Sequence, residues 1–427
     1  MAVSGGYKME VRPTDQIKFR DDLYPRFKHD PALVQKYAQD LDILPPIKVN
    51  QNNELIDGFH RWTAYKTNEV EQIPVEVVQT ATELEFLRLA IQANNRHGWQ
   101  LTDSDKKSAA VKLYGDGTTG LSKDEIAKDL SVSVRSVQAY LSGIDRQIRE
   151  ERKQQIFELY MDCWTQREIA ERVGIPRKSV DNIIQSLGQN GSVSDLAQSL
   201  DFDRDPDFKK PLYNVWNFAK LSNEVKHFGN SEQRIVDNLL RRFTQPFDIV
   251  VDPFAGGGST LDVCRKRLRR CYASDRKPIP ARADQIRQLD VVDSLPDLGK
   301  RWSDVSLTYL DPPYWKQAEN KYSTDAEDLA NMSLEQFTDN LVSVVEGIGS
   351  KQSKGVIALL IQPTQWLSDG RKVVDHVMDL VCAVNLELLT RVSCPYSTEQ
   401  YNSRQVDWAN ENGEWLVLTR ELIVWQV

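Results

Sequence analysis

Cysteine is scarce. The chain has five in 427 residues (Cys163, Cys264, Cys271, Cys382 and Cys394), and no two form a Cys-x-x-Cys pair. That scatter argues against both a disulfide framework and a metal site, and it fits a reduced, cytoplasmic setting. Long apolar runs are also missing. None approaches the roughly 20 residues that a membrane span needs, and the N-terminus lacks the apolar stretch of a secretory signal. No membrane partner is expected. Positive charge is not in excess, since the formal net charge is −8. That argues against a nonspecific polycationic binder, and DNA binding would need local basic patches. No restriction-nuclease motif is evident. What remains is an ordinary globular composition with 40% hydrophobic residues, at a length that suggests two to three domains.

The most informative stretch is Asp311-Pro312-Pro313-Tyr314. It follows the apolar run Val305–Leu310, so it falls where a strand ends, which is where open α/β sheets place their chemistry. Two consecutive prolines fix φ and remove two backbone donors. The loop is stiff, with carbonyls free to accept, a carboxylate on one side and an aromatic ring on the other. That set suits a planar base bearing an exocyclic amine. Asp311 and the Pro312 carbonyl can accept the amine hydrogens, and the Tyr314 ring can stack on the base. Upstream, the β-branched run Phe247–Val251 enters Asp252-Pro253-Phe254-Ala255-Gly256-Gly257-Gly258-Ser259-Thr260 and then a helical pattern, Leu261–Leu268. Strand, Gly-rich turn and helix make the nucleotide-binding layout, because glycines let the backbone approach a ligand and a helix N-terminus offers free N–H groups. This turn lacks the Gly-Lys-Ser/Thr of a P-loop, which disfavours ATP. Tyr272–Asp275 ends a second strand on an acid placed to take ribose hydroxyls.

These motifs, in this order, resemble the amino-group DNA methyltransferases that use S-adenosylmethionine. The resemblance covers about half the chain, from Leu212 onward. It implies a seven-stranded, Rossmann-like α/β sheet with helices on both faces. It assigns Asp252, Phe254, Ala255, Gly256 and Gly258 to the cofactor loop, Asp275 to the ribose and Asp290 to the adenine of the cofactor. Asn217 and Phe218, in the segment Tyr213–Phe218, fall near its methionine end. Asp311, Pro312, Pro313 and Tyr314 become the catalytic tetrapeptide. Aspartate in its first position favours adenine N6 over cytosine N4.

The N-terminal third reads as a small α+β domain, with strands at Pro45–Val49, Glu54–Asp57 and Ile73–Val78 and helices after Gly58 and over Ala81–Ala93. It resembles the N-terminal domain of ParB partition proteins, a fold shared with sulfiredoxin. In that family the turn and a later Asn/Arg stretch hold a nucleotide's phosphates. Gly58, His60 and Arg61 match the turn, and Asn95 and Arg96 match the second element, which implies CTP or another nucleotide. The turn here is Gly-Phe-His-Arg where the partition proteins have Gly-Glu-Arg-Arg. Between the two domains lies an all-α stretch with two helix-turn-helix patterns. Leu121–Leu130 turns at Ser131-Val132-Ser133 into Val134–Leu141, and Trp164–Val173 turns at Gly174 into Pro176–Ile184. Both resemble DNA-binding units, whose second helix lies in the major groove. The base- and phosphate-contacting candidates are Arg135, Ser136 and Gln138 in the first unit and Arg177, Lys178, Ser179 and Asn182 in the second.

The expected domains are 1–98 (ParB-like), 99–187 (helical, DNA-binding), 188–211 (linker) and 212–427 (methyltransferase). The expected partner is double-stranded DNA, and a homodimer is left open. Little chain remains after Tyr314 for a separate target-recognition domain, so DNA choice falls to the N-terminal half. Trp315–Leu329 reads as a mobile loop, and Gln400–Asp407 as the segment before a final hairpin. Tyr396 and Tyr401 read as strand-edge aromatics in preference to base-facing ones. The competing readings are a cytosine-N4 enzyme, a nucleotide-dependent DNA-binding regulator with a vestigial methyltransferase half, and an RNA methyltransferase.

Overall fold

A computed structural model describes residues 8–26, 30–96, 101–189, 202, 208, 210–218, 232–317, 324–364, 374–396 and 401–427. The chain divides into two compact units, Met1–Arg152 and Lys153–Val427. The first is built on a four-stranded sheet of β1 (Lys8–Pro13), β2 (Ile47–Asn50), β3 (Leu55–Asp57) and β4 (Gln72–Val78), in the order β1-β4-β2-β3. Its helices are α1 (Pro31–Gln39), α2 (Phe59–Thr67), α3 (Glu83–Arg96), α4 (Asp103–Tyr114), α5 (Lys123–Leu130) and the start of α6 (Val134–Met161). Strands β2 to β4 and helices α2 and α3 fall where the sequence pattern puts them. The edge strand β1 and the helices α1 and α4 have no counterpart in that reading.

Asp129 joins α3 to α5. Its carboxylate accepts from Arg88 Nε and Gln92 Nε2, both at 2.6 Å, and its carbonyl accepts from Asn95 at 3.0 Å. The helix pairs repeat one local device. Ser122 and Glu125 form a capping box at α5, and Thr165 and Glu168 form another at α7 (Gln166–Val173). Each first helix ends on a left-handed residue, Ser131 (φ 52°) or Gly174 (φ 70°), which closes the last turn and starts the next helix. The second pair is completed by α8 (Arg177–Gln189). The division at Arg152 falls inside α6, within the stretch read as one helical region 99–187, so the second pair belongs to the C-terminal unit.

The rest of that unit runs α9 (Gln233–Phe243), β5 (Ile249–Asp252), α10 (Ser259–Lys266), β6 (Arg270–Asp275), β7 (Arg287–Gln288), β8 (Val305–Leu310), α11 (Leu334–Lys351), β9 (Val356–Ile361), α12 (Val377–Ala383), β10 (Glu387–Pro395), α13 (Ser403–Asn412) and β11 (Thr419–Gln426). The seven strands lie in the order β10-β11-β9-β8-β5-β6-β7. β5 to β9 are mutually parallel and β11 runs against its neighbours. β5, β8 and β9 are buried at every residue, as unbroken apolar runs must be when helices cover both faces of a parallel sheet. One face packs on α11 and α12 and the other on α9 and α10. The chain leaves β5 toward β6 and β7, then returns to β8 on the other side of β5. The order therefore reverses between β5 and β8, which opens a crevice at their carboxyl ends.

Three segments differ from the sequence reading. The acidic run taken as linker contains Phe202, which is buried under the Arg267 guanidinium at 4.3 Å. An aromatic ring in a polar stretch finds the sheet's helical layer. Trp315 and Leu329 are also buried, and Lys316 donates to the Asn331 carbonyl at 2.9 Å, so the described ends of the Trp315–Leu329 segment are packed. Residues 318–323 of that segment lie outside the described residues. The stretch placed before the hairpin is instead the helix α13, inserted between the hairpin's own strands β10 and β11.

Gly355 shows how tightly the central strands are set. Its φ is 84°, and a Cβ there would come within 2.1 Å of the Ser306 carbonyl oxygen. Gly355→Ala is expected to destabilise the C-terminal unit by roughly 3 kcal/mol or more, because backbone has to move. A fall in the urea midpoint, followed by far-UV circular dichroism, measures it.

Candidate active site

The Gly-rich turn and the tetrapeptide meet at the β5/β8 switch point. Asp252 ends β5, Asp275 ends β6 and Asp311 follows β8, so three carboxylates stand at the carboxyl ends of neighbouring strands. The turn is fixed by its own backbone. Ala255 N–H donates to the Ser274 carbonyl at 3.0 Å, and Gly256 N–H donates to Asp275 Oδ2 at 2.8 Å. Gly258, with φ 84°, opens α10 from a conformation that a side chain would strain. Asp252 is 2% exposed and accepts from the Phe254 amide at 3.0 Å. Phe254 packs against the core on the α11 side, and Ala255 is buried on the α9 side.

Burial pushes the Asp252 carboxyl up to about 7. The Thr260 hydroxyl and the Phe254 amide oppose the rise, and the charges of Asp311 and Asp275 add to it. Burial likewise pushes Asp311 up to about 7, against the pull of the Arg420 cation and the hydroxyls of Tyr314 and Tyr309. Tyr314 Oη donates to Asp311 Oδ1 at 3.2 Å and Tyr309 Oη to Oδ2 at 3.5 Å. The Tyr314 hydroxyl is thus turned back on the carboxylate of its own tetrapeptide.

Sequence reasoning missed the group behind these residues. Arg420 of β11 is 8% exposed, pairs in register with Cys394 of β10, and lies 4.4 Å from the centre of the Tyr396 ring. Tyr396 donates to Gln362 Oε1, just past β9, at 2.9 Å. Tyr396 is therefore anchored at the rim of the site, whereas Tyr401 donates to the Val417 carbonyl at 2.5 Å, near the base of β11. A lone arginine at the start of an apolar strand carries no motif. Only the strand register reveals it.

The remaining candidates fall in varied settings. Asp290 pairs with Arg276 at 3.0 Å, and Arg276 also holds Asp325 at 2.5 Å. The Tyr213–Phe218 segment runs beside β10, where Trp216 N–H donates to the Ser393 carbonyl at 2.8 Å. Asn217 is exposed and Phe218 is buried in the core that holds Ala255. In the N-terminal unit Gly58 keeps its left-handed turn (φ 98°), but Arg61 does not face outward for an anion. It donates to the Pro45 and Pro46 carbonyls at 2.7 and 2.6 Å and pairs with Asp57 at 3.0 Å. His60 accepts from the Asp30 amide at 3.0 Å, and Asn95 caps α5 as described. The Arg96 side chain lies outside the described set. Arg135, Gln138, Arg177, Lys178 and Asn182 are exposed, while Ser136 shares a hydrogen bond with Ser133 at 2.9 Å. Ser179 is half-buried. Among the described residues, no cluster of His, Cys, Asp and Glu could hold a metal ion, and no helix is long and apolar enough to cross a membrane.

A family model of N6/N4 methylases, described as DNA methylase, matches residues 149–278. That segment is similar to the DNA methylases. The methylase match takes in the second helix pair, the Gly-rich turn and Asp275, and it stops short of Asp311. No curated protein matches the chain. Among solved structures, the partition protein ParB of Caulobacter crescentus bound to the centromeric parS site is 17% identical, over 31% of this chain and 70% of that one, with a TM-score of 0.25. The same protein with CTP-γ-S is 16% identical, over 42% and 99%, with a TM-score of 0.19. An rRNA methylase of Streptococcus thermophilus is 13% identical, over 45% and 95%, with a TM-score of 0.28. At scores this low the likenesses carry no weight on function.

The raised carboxyls make stability fall with pH. A carboxyl with a folded-state pKa near 7 binds a proton between about pH 4 and 7 that the unfolded chain has already lost, so folding is favoured at the acid end of that window and the advantage is gone above 7. Asp252→Asn, which keeps an acceptor for the Phe254 amide, is expected to flatten this slope. Denaturation at pH 5.5 and 8.5 should show wild type losing about 2 kcal/mol more than the variant over that interval.

Proposed function

We propose that this protein transfers a methyl group from S-adenosylmethionine to the exocyclic N6 amine of adenine in duplex DNA, with the target base flipped out and the N-terminal half supplying DNA recognition. The observation that carries this reading is the pair Asp252 and Asp311, crowded at the switch point beside a Gly-rich turn. Burial raises both carboxyls to about 7, and the charges of Asp311 and Asp275 add to the rise at Asp252. Carboxyls raised in this way favour a nearby cation, and a sulfonium is one. The residues present therefore fit the cofactor. Gly256 and Gly258 let the backbone approach it, the Asp275 carboxylate keeps lone pairs for ribose hydroxyls, and Asp290 lies at the adenine end. S-adenosylmethionine, when bound, supplies an electrophilic methyl on that sulfonium.

The chain's own work is on the amine. An adenine amine is a weak nucleophile because its lone pair is delocalised into the ring. Asp311 and the Pro312 carbonyl accept its two hydrogens and localise the pair on nitrogen. Tyr314 offers its ring to the extruded base, which offsets part of the few kcal/mol that flipping costs. Positioning of two bound reactants accounts for up to about 7–11 kcal/mol of barrier lowering. Arg420, buried behind the site, favours the ionised form of Asp311 and so its role as an acceptor. Because Arg61 is spent inside the N-terminal fold, we give the Gly58 turn a structural role there.

The test is methyl transfer from labelled S-adenosylmethionine to mixed-sequence duplex DNA, followed by nucleoside mass spectrometry. N6-methyladenine is expected. Methylcytosine would keep the chemistry and overturn the choice of base, and no product with DNA still bound would favour the regulator reading. Asp311→Ala is expected to bind the cofactor and lose transfer, and retained activity would remove Asp311 from the reaction. The wild-type rate should rise with pH through about 7 as Asp311 ionises. Arg420→Gln should move that midpoint upward by roughly one pH unit, whereas a purely structural role for Arg420 would lower the rate without moving it.

A further inference from the structure

Within the C-terminal unit the second helix pair is bolted to the elements that carry the cofactor loop. Asp162, which follows α6 and is almost fully buried, takes both branches of the Arg265 guanidinium from α10, at 3.0 and 2.6 Å. Its carbonyl accepts from Arg287 of β7 at 3.1 Å, and the next carbonyl, that of Cys163, accepts from Arg301 at 2.7 Å. The Trp164 ring has the Arg172 guanidinium 3.5 Å and the Arg287 guanidinium 3.9 Å from its centre. Arg172 itself donates to the Asp284 carbonyl at 3.3 Å. A two-pronged charged pair fixes direction as well as distance, and the stacked guanidiniums fix the tryptophan plane. The pair also has a core of its own in Ile156, Ile169 and Val180.

The first two turns of α8 present Arg177, Lys178 and Asn182 to solvent. Positions 178 and 182 lie one helical turn apart, on one face. This is a cationic end of a helix with an amide donor and acceptor one turn further on, the side-chain set that reads guanine and adenine edges from a major groove.

We infer that α8, held to the catalytic sheet through Asp162 and Arg265, selects the DNA sequence that is methylated. The inference rests on the proposed methyl transfer and narrows DNA choice from the N-terminal half to one helix. Sequence choice by an enzyme that modifies a base requires a fixed register between the reading side chain and the reacting amine, and an error of about 1 Å is costly. The seam of Asp162, Trp164 and their arginines supplies that register inside a single unit. The occupant is duplex DNA, by the complementarity of Arg177 and Lys178 to phosphate and base acceptors.

The experiment uses the full-length protein on a random-sequence duplex library, with the methylated positions read by sequencing. Wild type is expected to methylate a defined motif. Arg177→Ala with Asn182→Ala should lower discrimination about 10-fold or more at one or two positions of that motif, while transfer to non-preferred DNA changes little. Asp162→Asn should blur the same positions with α8 left intact, and circular dichroism of this variant checks that the unit is folded. Arg135→Ala with Gln138→Ala, in the first helix pair, should leave the motif unchanged. An unaltered motif in the Arg177/Asn182 variant overturns the inference, as does a motif altered only by the Arg135/Gln138 variant or a wild type that methylates without preference. No product from wild type overturns the catalytic reading itself, and this inference with it.

Discussion

Carboxylates do not gather at one end of a sheet unless the backbone leaves them no alternative. Here the backbone is a parallel sheet whose strand order reverses beside β5, so that the ends of β5, β6 and β8 open side by side. Their last or next residues are Asp252, Asp275 and Asp311. Each acid is held by a different device. Asp252 is held by the turn that follows it, Asp275 by the amides of Gly256 and Lys277, and Asp311 by two tyrosine hydroxyls. At Asp252 the charges of Asp311 and Asp275 add to the rise that burial causes. The glycines, the prolines and the buried Arg420 make sense as means of keeping that arrangement from relaxing.

Much of the frame was legible because the relevant residues have few alternatives. Runs such as Val305–Leu310 and Val356–Ile361 are too apolar for an exposed strand and too short for a helix of the usual length. A Gly-rich turn between strand and helix has a narrow set of uses. What sequence could not supply was register across long separations. Arg420 lies more than a hundred residues from Asp311 and reaches it only because β11 inserts between β9 and β10. Arg61 shows the same limit from the other side. Its place at a helix start suggests an anion site, but the carbonyls of Pro45 and Pro46 claim the guanidinium first. The hairpin at the C-terminal end was anticipated as strands, yet its inserted helix α13, opened by the Asn402/Gln405 capping box, was not.

The two helix pairs show how similar local sequence acquires different standing from its surroundings. Both have a capping box, a left-handed closing residue and a basic residue early in the second helix. The first pair is tied through Asp129 to α3 in the N-terminal unit. The second is tied through Asp162 to α10 and β7. Nothing in the repeated motif announces this, because the deciding residues, Asp162 and Arg265, lie outside it and far apart in the chain.

Phe202 adds a last consequence. It is buried beneath Arg267, so the chain is anchored again at a point beyond α8. Once a loop is closed by independent anchors, its length matters little. Each doubling adds only about 0.6 kcal/mol of closure entropy. The distance along the chain between two such anchors is therefore a weak determinant of stability, whereas the anchors themselves, Phe202 under Arg267 among them, are not.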